Sequence, residues 1–249
     1  MRPPPHTAED RHNRQAVFDD LIATVAACRT CPAMEGRRRV LTAANGDIDA
    51  RVMFIAEAPG RGGGERTGVP FSGDHSGRTF ERLLGEAGWT RDDIFITNAA
   101  LCNPQGPTGA NRPPTMRELA NCSGHLRATL AVVNPPVVVT LGAVALGALG
   151  RIERHGLKLT DARGTAHAWY GRTLVPLFHP SPKVLAWYPY ARMAGDFRTL
   201  RAVADASATG WNSALPAHTV HGPMHILDDC PQGGGWRGDL EIIADAMTE

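Results

Sequence analysis

Four short apolar runs, closed by turn-forming residues and separated by helical spacing, most restrict the folds open to this chain. They are Arg51–Ala56, Ile94–Thr97, Pro136–Leu141 and Thr173–Phe178. Runs apolar on both sides of the strand alternation are covered on both faces, as the strands of parallel sheets are. Between them lie stripes at helical spacing: Asn13–Cys28, Ser76–Ala87, Met116–Val133, Ala143–Leu149 and Tyr190–Ala204. Thr115 is placed to cap the third of these, with Glu118 near its first turn. The alternation predicts an α/β chain, single-domain three-layer αβα with a central four-stranded parallel sheet. Pro176 inside the last run predicts an edge position or a bulge there. Ligands of such sheets gather at the carboxyl ends of the strands, where Glu57, Asn98 and His179 fall.

A length of 249 residues suits one large domain with tails. The polar, proline-rich residues 1–12 read as a tail, 13–206 as the domain, and 207–249 as an extension ordered at most in part. One short helix is expected in that extension, at Asp239–Met247. A net charge of +1 excludes a global cationic field, so any nucleic-acid contact rests on local charge such as Arg37-Arg38-Arg39. Neither a signal peptide nor an apolar run of about 18 residues is evident, so no membrane partner is expected. The five scattered cysteines point to a reducing, cytoplasmic compartment, where thiols more often bind metal than pair.

Cys28 and Cys31 form a Cys-x2-Cys pair, and Cys102 and Cys122 follow far downstream, each beside an element boundary. Two thiolates on one turn plus two brought in by the fold can enclose a tetrahedral centre. On spacing, Zn2+ and a [4Fe–4S] cluster are both open, as are unrelated buried cysteines. The wide second spacing is less usual for zinc. A centre here ties the N-terminal helix and the Cys102–Cys122 loop to the sheet. Cys230 is expected to be free.

The segment Ala56-Glu57-Ala58-Pro59-Gly60 ends the first run in a tight turn, and Thr67-Gly68-Val69-Pro70-Phe71-Ser72-Gly73-Asp74 follows. Such a turn lets backbone N–H groups approach a flat polar ligand, and Phe71 offers a face on which a base can stack.

With these residues the chain resembles the uracil-DNA glycosylase superfamily, specifically its iron–sulfur families 4 and 5. The resemblance runs from about Cys28 to Ala204 and rests on five features in order. These are Cys28-x2-Cys31; Glu57-Ala58-Pro59-Gly60 with Gly68-Val69-Pro70-Phe71; Thr97-Asn98-x3-Cys102; Asn111-Arg112-Pro113-Pro114 leading to Cys122; and His179-Pro180-Ser181. Glu57–Gly60 looks like family 4, and the Phe71–Asp74 ending looks like family 5. Three departures stand out. Gly62-Gly63-Gly64 replaces a stretch where family 4 carries an acid, Leu101 stands where a basic residue often precedes the third cysteine, and Gln105–Ala110 is inserted.

The resemblance implies a monomeric, monofunctional DNA repair enzyme that flips uracil out of DNA and hydrolyses its N-glycosidic bond. It implies a [4Fe–4S] cluster held by Cys28, Cys31, Cys102 and Cys122. Phe71 stacks on the base, Asn98 reads its O4 and N3–H edge, and His179 donates to O2 of the leaving uracil. Asp74 first and Glu65 second are expected to orient water. Glu57 braces the turn, leaving N–H groups near Ala58 for the base. Ser181 and Lys183 suit phosphates, and Val184 or Leu185 the gap left in the duplex. The missing acid at Gly62–Gly64 motivates an alternative, a uracil-DNA or abasic-site binding protein with slow turnover. An iron–sulfur electron carrier is a third reading, and it leaves Phe71, Asn98 and His179 without a task.

Overall fold

A computed structural model of the protein describes residues 8–210. Expectations for residues 1–7, Cys230 and the Asp239–Met247 helix lie outside the described residues. The strands are β1 (Val52–Ala56), β2 (Ile94–Asn98), β3 (Val137–Leu141), β4 (His167–Trp169) and β5 (Arg172–Leu177). The helices are α1 (Ala8–Ala27), α2 (Gly64–Thr67), α3 (His75–Glu86), α4 (Met116–Val133), α5 (Ala143–Leu149), α6 (Leu159–Ala162), α7 (Pro182–Leu185) and α8 (Tyr190–Gly210). α1 begins at Ala8 rather than Asn13, so residues 8–12 are helix instead of tail, and α8 runs on past the expected Ala204.

The sheet has five strands in the order β2-β1-β3-β5-β4, one more than expected. β1, β2, β3 and β5 are parallel, and β4 is an antiparallel edge joined to β5 by the turn Tyr170-Gly171. Both turn residues have positive φ, 49° and 66°, which suits a two-residue hairpin. Pro176 therefore sits in an interior strand. Its carbonyl accepts from Gly164 N, and β4 pairs with β5 only as far as Leu174, so the missing N–H points past the end of β4.

Two apolar layers sandwich the sheet. Met53, Ile55 and Val138 pack with Phe18 and Val25 of α1, Leu126 and Leu130 of α4 and Leu146 of α5. Phe54, Ile96 and Val139 pack on the other face with Phe80 and Leu83 of α3 and Phe197 and Leu200 of α8. The result is the three-layer αβα arrangement. Because β2 and β3 flank β1, the chain reverses direction across the sheet at β1, and a crevice opens at the strand tips there.

Candidate active site

The crevice is a cleft of about 570 Å3 at the carboxyl ends of β1, β2, β3 and β5. Glu57, Ala58, Phe71, Asp74, Asn98 and His179 all line it, as do Ser181, Lys183 and Val184 at the α7 rim. The glycosylase-like residues expected from three separate strand tips thus share one cavity.

Phe71 is held firmly. Its ring stacks on Phe80, with centroids 4.6 Å apart at 23°, and lies 5.4 Å from the His179 ring. Its φ is +49°, a strained value for a bulky residue that persists only when the surroundings enforce it. Arg91 supplies that enforcement by donating to the Pro70 and Phe71 carbonyls. Gly77 of α3 contributes close approach, since a Cβ there would stand 2.5 Å from Phe71 O.

Asn98 ends β2, only 3% exposed, and its Nδ2 has no hydrogen-bond partner. An unpaired buried donor costs roughly 1–3 kcal/mol, so a protein keeps one where it serves a ligand. His179 follows β5 beside Pro180. Burial lowers its pKa to about 4 against an opposing pull from Asp74, so the imidazole is neutral at pH 7. Burial also pushes the Glu57 carboxyl above its usual range.

Asp74 caps α3, its Oδ1 accepting from Gly77 N at 2.8 Å. Its Oδ2 lies against the Gly60–Gly63 turn, where a Cβ on Gly63 would come within 2.4 Å. Of the three glycines in this turn, Gly63 thereby makes room for a carboxylate from the next loop. Glu65 takes a different position. It is not part of the cleft wall, and its Oε1 accepts from Arg38 N at 3.1 Å, so the sequence expectation that it orients water lacks a geometric basis. Two arginines of the triplet are likewise engaged with the scaffold: Arg38 Nε donates to Glu65 O, and Arg39 donates to the Cys28 carbonyl.

Sequence reasoning missed Asn103, which is 1% exposed and donates to Pro59 O and to Asn111 Oδ1. Gln105 donates in turn to Asn103 Oδ1, and the inserted segment folds as a small hairpin, Gln105 bridging to Asn111. This network ties the insertion to the Pro59–Gly60 turn. An Asn-Pro pair such as 103–104 is a turn signal that carries no hint of its target. Trp187, at the cleft rim and 58% exposed, was also missed; it stands in the apolar run Val184–Tyr190, where nothing in the sequence marks which side chain stays in solvent.

Cys28, Cys31, Cys102 and Cys122 line a second, small cavity together with Arg39 and Asn121. A hydrogen bond from His125 lowers the Cys28 thiol to about 6, whereas burial raises Cys102 to about 11 and Cys122 to about 12. Asn121 Nδ2 donates to Cys31 Sγ at 3.2 Å. Among the described residues no three His, Cys, Asp or Glu side chains are grouped to hold a single metal ion. No helix among those residues is long and apolar enough to cross a membrane.

Known proteins share this arrangement of sequence. Residues 43–198 match the family described as "Uracil DNA glycosylase superfamily". A type-4 uracil-DNA glycosylase of Thermotoga maritima is 34% identical over 171 residues, spanning 68% of this chain and 84% of that protein. A type-5 uracil-DNA glycosylase of Pyrobaculum aerophilum is 31% identical over 206 residues, spanning 69% and 85% respectively. With the family match covering well over half of the chain, the protein belongs to the uracil DNA glycosylase superfamily.

Proposed function

We propose that the protein excises uracil from DNA as a monofunctional glycosylase, leaving an abasic site. The observation that carries this reading is the buried, partnerless Nδ2 of Asn98 in a cleft it shares with Phe71 and His179. A carboxamide in that place donates from Nδ2 to uracil O4 and accepts from N3–H at Oδ1. Cytosine presents the inverse pattern and leaves both groups unpaired, which makes rejection steep. Phe71 supplies the stacking face for the extruded base.

As the bond between C1′ and N1 breaks, its electron pair leaves with the base. The neutral His179 ring donates to O2 and stabilises that developing anion. Asp74 orients the water whose oxygen joins C1′ and takes up its proton. The carboxylate lies in the cleft wall despite the acid-free glycine turn, which removes the motive for a binder with slow turnover. Glu57 braces the turn, and Ala58 faces the base. Ser181 and Lys183, at the rim, meet phosphates of uracil-containing DNA.

The four cysteines are suited to a [4Fe–4S] cluster. The donor set is all sulfur, and Asn121 donates an N–H to Cys31 Sγ, the kind of bond that ligand thiolates take up. Such a cluster braces the scaffold and takes no part in the chemistry proposed here. A protein with these thiols belongs in a reducing compartment, and it acts as a monomer.

The test is excision of a single uracil under multiple turnover. The parent turns over repeatedly, while Asn98→Ala and His179→Ala each lose at least about 100-fold, with visible absorption unchanged. Variants that cleave like the parent overturn the pocket assignment.

A further inference from the structure

Extrusion of a nucleotide leaves a gap in the duplex that an apolar side chain must fill if the flipped state is to persist. Val184 and Leu185 are the first aliphatic residues after His179, but both are partly buried and packed on the core face built by α3 and α8. Most of the surface of each is already covered by the protein. That of Trp187 is not. It is 58% exposed and lies in the cleft wall near Lys183 and Ser181. Met116 is the other large exposed apolar side chain among the described residues, and it lies outside the cleft wall.

The segment presenting Trp187 is rigid. α7 is closed by bonds from Val184 N and Leu185 N to Ser181 O, and Trp187 N donates to Val184 O at 3.1 Å. The next residue, Tyr188, is buried and its hydroxyl bonds Arg163 and Asp196, which fixes the far end. From behind, Phe178 meets the indole edge to face, centroids 4.9 Å apart at 78°. A large flat apolar ring is thus held in solvent at the cleft rim, eight positions beyond His179 and flanked by a cation and a hydroxyl suited to phosphate.

We propose that Trp187 is the side chain that enters the base stack when the target nucleotide swings out, stacking on the bases beside the gap. This assignment rests on the excision reading above and names the residue that makes it work on duplex DNA. Filling a gap matters only where a second strand keeps the neighbouring bases stacked. Single-stranded substrate therefore separates this role from a role in shaping the base pocket.

Single-turnover excision is measured on an oligonucleotide with one uracil, both as a U·G duplex and as a single strand, for the parent, Trp187→Ala and Trp187→Phe. Trp187→Ala is expected to lose tenfold or more on the duplex and less than threefold on the single strand. Trp187→Phe recovers most of the duplex rate. A duplex rate equal to the parent's, or an equal fall on both substrates, overturns the proposal. A duplex carrying 2-aminopurine beside a stable abasic-site analogue reads the same event without turnover. Bound parent changes the probe's emission through stacking, and Trp187→Ala does not. A parent inert on both substrates sinks the excision reading, and the probe then decides the wedge on its own.

Discussion

The two carboxylate oxygens of Asp74 face different tasks, and substitution can separate them. Oδ1 accepts the Gly77 amide and starts α3, while Oδ2 lies against the Gly60–Gly63 turn in the cleft wall. Asparagine is as good an N-cap as aspartate, so Asp74→Asn keeps the first task and removes the charge. We expect this variant to unfold within about 0.5 kcal/mol of the parent and to excise uracil about 100-fold more slowly or worse. Asp74→Ala loses the cap as well, at about 1 kcal/mol. Chemical denaturation and single-turnover excision on both variants check this. An Asp74→Asn protein with parental rates reduces the residue to a helix cap. The close pairing of Phe71 O with Gly77 explains why the aromatic and the carboxylate arrive together: the same loop that strains Phe71 delivers Asp74 to the helix start.

At the scale of elements, α4 shows how a local signal fixes the start of the helix that carries Cys122, next to Arg112 in the cleft wall. Thr115 and Glu118 form a reciprocal capping box, and Glu118 also receives two bonds from Arg112, at 2.8 and 2.6 Å. Arg112 and Thr115 together draw the Glu118 pKa from 4.5 down to about 2. A carboxyl with a depressed folded pKa adds stability above its unfolded value, and that stability drains away as pH falls from about 4.5 toward 2. Glu118→Gln is therefore expected to cost roughly 2 kcal/mol at pH 7, the same at pH 5, and clearly less at pH 3.5. Equal gaps at all three pH values contradict the ion-pair account. The Thr115 cap, the four parallel strands and their tips were legible in the sequence, because each depends on local propensity and apolar runs of adequate length. β4 was not, being three residues long with only Tyr170-Gly171 as a turn signal. The direction of Glu65 was also illegible: it lies one residue from the glycine turn, yet its carboxylate bonds the backbone of Arg38, a contact 27 positions away.

The whole molecule joins its two sites through one loop. Cys28 and Cys31 follow α1, Cys102 follows β2, and Cys122 lies in α4, so a centre held by all four binds three segments remote in sequence. Those segments carry Phe18, Val25 and Leu126 to one face of the sheet only; the α3–α8 face is built without them. Next to Cys102, Asn103 holds the Pro59 carbonyl at 2.6 Å, and Pro59 belongs to the turn that lines the cleft. Loss of the proposed cluster should therefore loosen one face and one wall of the cleft while the other face stays packed. Cys102→Ala, which leaves no ligand atom, is expected to lose the visible absorption of the proposed cluster. Amide exchange should rise in residues 28–40 and 100–112, remain slow in α3 and α8, and excision should fall with every cleft side chain intact. Exchange that rises equally on both faces makes the centre a prop for global stability alone. A variant that keeps its colour removes Cys102 from the ligand set. Only the unequal pattern supports a cluster that acts on the cleft through the Asn103 contact.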